Sequence, residues 1–141
     1  MTYKVALIGY GYWGPKLARN IQNSSIFKID CIVDNSLRNL ENAKKSFPLS
    51  KLHNDHKKID KTEIDLVVIS TPTKTHFQMA KYFLKHTNVL IEKPVALKLS
   101  DVANLEKISN KFNNQLFVDY PFIFSGSIQY IKDTIKQKKY G

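Results

Sequence analysis

Six consecutive residues constrain this chain more than any others. The apolar run Val5-Ala6-Leu7-Ile8 passes directly into Gly9-Tyr10-Gly11-Tyr12-Trp13-Gly14. Leu17, Ala18 and Ile21 then share one helical face. A G-x-G-x-x-G turn carries weight because a strand precedes it and a helix follows. The first glycine permits the tight turn, the second lets backbone approach a pyrophosphate, and the third lets helix pack closely on strand. Phosphates in such a turn lie over helix amides, where the dipole favours anions. Pro15 falls in the first helical turn, where its missing N–H would have gone unpaired in any case.

The same alternation runs on. Residues 29–33, 66–69, 89–91 and 116–118 are short apolar runs, which fit strands covered on both faces, as in a parallel sheet. Between them, Leu37/Leu40/Ala43/Phe47, Met79/Ala80/Phe83 and Val102/Leu105/Ile108/Phe112 repeat with helical spacing, and Ile128/Ile131/Ile135 do so near the end. Ser36, Thr75 and Ser100 stand where side-chain oxygens cap helix amides, with a helix starting at Thr75. Residues 48–64 read as a short strand at Lys51-Leu52-His53 and then a poorly formed helix or loop. This order requires right-handed crossovers. It predicts an α/β fold: a Rossmann-type doubly wound, mainly parallel sheet with helices on both faces, in a single domain over residues 1–141.

At 141 residues and 43% hydrophobic composition, such a domain folds without disulfides or metal. Cys31, the single cysteine, has no internal partner and lies in an apolar run, so a reduced, cytoplasmic chain is expected. The amino terminus shows no signal-peptide pattern, and no apolar run approaches the ~18 residues of a membrane span. No membrane partner is expected. The net charge of +10 raises the question of nucleic acid. Arginine, which reads phosphate and guanine with a bidentate fork, is confined to Arg19 and Arg38. The lysines are spread over every segment, densest from Lys132 to Lys139 on the terminal amphipathic pattern. No nucleic-acid partner and no metal site are expected.

Asp34 ends the second apolar run, twenty residues beyond Gly14. An acid there accepts hydrogen bonds from the adenosine ribose and repels a 2′-phosphate, so NAD is favoured over NADP; Arg38 folding back would soften that exclusion. Two further segments follow strand-like runs: Ser70-Thr71-Pro72-Thr73-Lys74-Thr75-His76 and Glu92-Lys93-Pro94. In a doubly wound sheet, ligands bind beyond the carboxyl ends of the strands, where strand order switches. Pro94 restricts Lys93 to extended backbone. A lysine held there is suited to proton transfer.

Taken in order, Gly9 to Pro15, Asp34, Thr71-Pro72-Thr73 with His76, and Glu92-Lys93-Pro94 resemble the amino-terminal domain of the Gfo/Idh/MocA family of nicotinamide-dependent oxidoreductases. The resemblance spans essentially the whole chain, with Glu-Lys-Pro its most specific element. It continues through Val118-Asp119-Tyr120-Pro121-Phe122 and on from Ser125 to Tyr140-Gly141. It implies that Gly9, Gly11, Tyr12, Trp13 and Gly14 bind the pyrophosphate through backbone, and that Asp34 binds the adenosine ribose. Thr71, Pro72 and His76 would line the cofactor cleft, and Glu92 would hold the nicotinamide ribose. Lys93 would be the active-site lysine, with a cis bond to Pro94, and Tyr120 would border the nicotinamide. The Tyr-Trp-Gly-Pro turn resembles members acting on sugars or nucleotide-linked sugars for surface polysaccharides.

Many relatives carry Gly-His or an arginine where Asp119-Tyr120 stand. Family members also continue into an α+β domain that carries the substrate pocket, and homo-oligomers form largely through it. The expectation is therefore a cofactor-binding half of a sugar or nucleotide-sugar dehydrogenase, with negligible turnover alone. A non-catalytic NAD-sensing module, using the same turn and Asp34 without chemistry at Lys93, is the alternative.

Overall fold

In the computed structural model, which describes residues 2–138, β1 (Tyr3–Ile8) lies inside a six-stranded sheet. The other strands are β2 (Phe27–Val33), β3 (Lys51–His53), β4 (Leu66–Ile69), β5 (Asn88–Glu92) and β6 (Leu116–Asp119). All neighbours run parallel, in the order β3-β2-β1-β4-β5-β6. The chain builds outward from β1 in one direction, then returns to β1's other side and builds the opposite way. The switch point therefore falls between β1 and β4, where such sheets bind ligands.

Both faces of the sheet are buried, which is why its strands read as continuous apolar runs. Val5 and Leu7 point into one core with Ala18 of α1 (Gly14–Gln22) and Ala43 of α2 (Leu37–Ser46). Ala6 and Ile8 point into the other. There they meet Ala80 and Phe83 of α3 (His76–Phe83) and Leu105 of α4 (Leu99–Phe112). Cys31 lies in this second core, and burial pushes its thiol up to about 12.

The segment between β3 and β4 is better ordered than its sequence suggests. Asp55 accepts the Lys57 N–H at 2.9 Å and caps a single 3-10 turn, His56–Lys58. Only Ile59 and Ile64 go inward, and both are buried. Two apolar residues in such a stretch leave no periodicity to detect.

Of the three expected caps, Ser36 forms, its hydroxyl accepting the Asn39 N–H at 3.4 Å. The other two do not. Thr75 ends a 3-10 turn, Thr73–Thr75, and its hydroxyl donates to the Pro72 carbonyl at 2.8 Å, so α3 begins one residue later than expected. Lys98 holds the extended backbone that precedes a helix, so α4 begins at Leu99 and Ser100 lies inside it. The last helix, α5 (Gly126–Lys136), forms where predicted after a 3-10 turn at Pro121–Phe124, with Ile128, Ile131 and Ile135 exposed. Lys139, the end of the basic stretch, and Tyr140-Gly141 lie outside the described residues. Among the described residues, no helix is long and apolar enough to cross a membrane, and no group of three potential metal ligands gathers.

Candidate functional site

The glycine turn is built by steric necessity. Gly9 has φ +96°, and a Cβ there would lie 2.8 Å from the Ser70 carbonyl group and 2.9 Å from the Thr71 nitrogen. Only glycine tolerates both the conformation and the contact. Ser70, at the end of β4, completes the lock: its hydroxyl donates to the Gly9 carbonyl at 2.7 Å, and its N–H donates to Ile8 at 2.8 Å. A Cβ on Gly14 would collide with the Gly9 carbonyl, which fixes how closely α1 approaches β1. Gly11 differs, because a Cβ there would meet nothing within 4 Å. Its missing side chain leaves room for something other than protein.

Asp34 leaves β2 beside this turn. Its Oδ2 accepts the Tyr10 N–H at 2.6 Å, and its Oδ1 accepts the Ser36 N–H at 2.8 Å. Each carboxylate oxygen keeps a lone pair for a further donor. Together the glycine turn, Asp34 and the end of β4 enclose a cleft of about 730 Å³, within the range of cofactor sites.

Of the residues expected at the site, Gly9, Gly11, Tyr12, Trp13, Asp34, Thr71 and Pro72 line this cleft. Gly14 lies beneath the turn. Sequence reasoning missed Asn35, Asn39, Asn54, Asp55, His56, Lys74 and Met79, which also line it. Asn54 and Asp55 follow β3 at the same sheet edge as Asp34, and the placement of that strand was the signal available. Asp55 is held below the usual carboxylate range by the Lys57 N–H.

His76 stands behind the cleft rather than along it. It is 1% exposed, its Nε2 lies 2.7 Å from the Thr71 carbonyl, and its Nδ1 lies 2.8 Å from the Pro94 carbonyl. The ring thus straps the loop after β4 to the loop after β5. A neutral ring donates to one of these carbonyls, and a doubly protonated ring donates to both. Beside it, the Thr71 and Thr75 hydroxyls pair at 2.7 Å.

Glu92, Lys93 and Pro94 leave β5, the neighbour of β4, outside the residues lining the cleft. Lys93 is exposed, enters no ion pair among the described residues, and is joined to Pro94 by a cis peptide bond, as the resemblance implies. Glu92 is buried and sits opposite Asp119 of β6. Burial first, and then the Asp119 carboxylate, hold its carboxyl above the usual glutamate range. Tyr120 follows β6 and is half exposed, two strands away from the cleft.

The cleft fits an adenine dinucleotide. Gly11 leaves space at the turn, no side chain caps the amino terminus of α1, and Asp34 presents free lone pairs. The comparisons agree. The profile of the Gfo/Idh/MocA family, described as an oxidoreductase family with an NAD-binding Rossmann fold, matches residues 3–120. The chain is 25% identical over 132 residues to the 2,7-anhydro-N-acetylneuraminate hydratase of Escherichia coli K12, covering 93% of this chain and 35% of that protein. Myo-inositol 2-dehydrogenase from Lactobacillus plantarum superposes with a TM-score of 0.90 at 26% identity, over 100% of this chain and 43% of that one. Scyllo-inositol dehydrogenase from Lactobacillus casei, solved with NAD(H) and scyllo-inositol, shares the fold at a TM-score of 0.89 and 24% identity, again over 100% and 43%. The chain thus spans less than half the length of these relatives. It is an NAD-binding Rossmann domain and belongs to the Gfo/Idh/MocA oxidoreductase family.

Proposed function

We propose that the domain serves an oxidoreductase that moves a hydride between nicotinamide and the hydroxyl-bearing carbon of a sugar, nucleotide-sugar or related polyol. The observation that carries this reading is the placement of Lys93. It is exposed and unpaired among the described residues, directly after β5, the strand next to the one that closes the cleft. Inositols in the names of two relatives, and an anhydro-sugar acid in a third, support a hydroxyl-rich substrate.

Bound NAD supplies the hydride acceptor. The backbone from Gly9 to Gly14 holds the pyrophosphate and Asp34 the adenosine ribose. Glu92 holds the second ribose, and Tyr120 borders the ring beyond it. Lys93 Nζ takes the hydroxyl proton as the substrate carbon becomes a carbonyl, and returns it in the reverse direction. His76 keeps the loops bearing Thr71 and Pro94 in fixed relation. Close placement of the two reactants contributes several kcal/mol to such a step, and the share of the relatives' length not spanned here supports placing the substrate pocket elsewhere. The 141-residue chain is therefore expected to bind NADH but to form none from NAD and myo-inositol or sugars. Binding is read by fluorescence titration and turnover by near-ultraviolet absorbance. Steady NADH formation by this chain contradicts the division of labour, and unsaturable NADH binding contradicts the cofactor role.

A further inference from the structure

Two aromatic rings lining the cleft hold a cation that the cofactor reading has not used. Lys16 Nζ lies 3.7 Å from the centroid of the Tyr12 ring and 4.2 Å from that of Trp13. The rings meet edge to face, 5.5 Å apart at 83°. Both line the cleft, yet they are 77% and 45% exposed. Two large aromatic rings at a phosphate turn do little for the core from there. What they do is hold an ammonium group, by attraction of the cation to their faces.

The position of that cation runs against local electrostatics. Lys16 is the third residue of α1, and the first turn of that helix contains no acid. The amino-terminal turn carries the positive end of the helix dipole, where acids stabilise and cations do not. Nor does Lys16 form an ion pair among the described residues. Attraction to the two rings offsets this cost and holds the ammonium beside the glycine turn, where no acid answers it. An anion bound in the turn would reverse the sign of the interaction, since the rings that hold the ammonium line the same cleft.

We propose that Lys16, held between Tyr12 and Trp13, is a phosphate-recognition residue. Its ammonium supplies a full charge to the pyrophosphate that backbone amides alone would otherwise hold, so the turn selects phosphate-bearing nucleotides over uncharged nucleosides. Lysine suits this role as a compact point charge with three donors. The inference rests on reading the cleft as a dinucleotide site.

The test is titration of the chain with NADH, ADP-ribose and adenosine at low and high salt, for wild type, Lys16→Gln and Lys16→Arg. Lys16→Gln is expected to weaken NADH and ADP-ribose about tenfold, the loss of one charge-assisted hydrogen bond. Adenosine affinity should not change, and the salt dependence should flatten. Lys16→Arg should retain most of the affinity. The thermal midpoint of Lys16→Gln should stay close to wild type, since the lost attraction to the rings and the relieved opposition to the helix dipole are of similar size; a purely structural role predicts a marked fall with NADH affinity unchanged. Wild-type affinity for NADH in Lys16→Gln, or an equal loss for adenosine, overturns the proposal while leaving the dinucleotide reading intact. A folded wild-type chain that binds neither NADH nor ADP-ribose overturns both.

Discussion

Asp34 Oδ2 accepts the Tyr10 backbone N–H at 2.6 Å, joining the end of β2 to the middle of the glycine turn. The acid expected to meet a ribose therefore also holds the turn expected to meet the phosphates. Asp34→Ala leaves the Tyr10 and Ser36 amides without this acceptor, and a loss of about 1–3 kcal/mol of stability is expected. The preference for NADH over NADPH should shrink as well, because the repulsion of a 2′-phosphate goes with the charge. Thermal unfolding and parallel NADH and NADPH titrations check both. An unchanged preference removes Asp34 from the cofactor site.

Two glycines in the same turn should answer an added methyl group in opposite ways. At Gly14 the new Cβ meets the Gly9 carbonyl, and Gly14→Ala should cost about 1–3 kcal/mol as an overpacked contact. At Gly11 it meets nothing within 4 Å. Gly11→Ala should unfold within about 0.5 kcal/mol of wild type, yet bind NADH about tenfold or more weakly if, as proposed, the methyl group enters the space of the pyrophosphate. Urea unfolding paired with NADH titration separates the two effects.

His76 predicts a structural defect felt at the cleft. His76→Ala removes a buried ring together with its contacts to the Thr71 carbonyl at 2.7 Å and the Pro94 carbonyl at 2.8 Å. The expected loss is about 2–4 kcal/mol, read from the urea midpoint at unchanged m-value. NADH affinity should fall with it, since Thr71 lines the cleft. A variant of wild-type stability contradicts the strap.

Glu92 predicts a pH dependence. Its carboxyl is raised by burial and by Asp119, so above the ordinary glutamate value, ~4.3, the folded chain holds a proton that the unfolded chain has released. Stability from this residue is present below that value and falls as pH rises through the folded one. Glu92→Gln cannot titrate. The variant should therefore gain on wild type in thermal midpoint as pH rises from acid to neutral. A difference constant over that range contradicts the assignment.

The strands and the turn were legible in the sequence because each depends on local pattern. Residues 66–69, buried on both faces, read as an unbroken apolar run and form β4 over that same span. The glycine spacing is set by sterics within one strand–turn–helix unit. What escaped depends on partners distant in the chain. His76 meets a carbonyl 18 residues away, and Glu92 meets Asp119 only through parallel register. Asn54 and Asp55 reach the cleft because three residues of β3 pair beside β2. Ser100 misled because hydroxyls favour caps only where the preceding backbone has not already started the helix, and here Lys98 had.

Calorimetric titration of the folded 141-residue chain with NADH tests the account most directly. The expected result is saturable binding of one NADH per chain, weakened by both Gly11→Ala and Asp34→Ala. Absence of heat and of saturation up to millimolar NADH, on material shown to be folded, would contradict it.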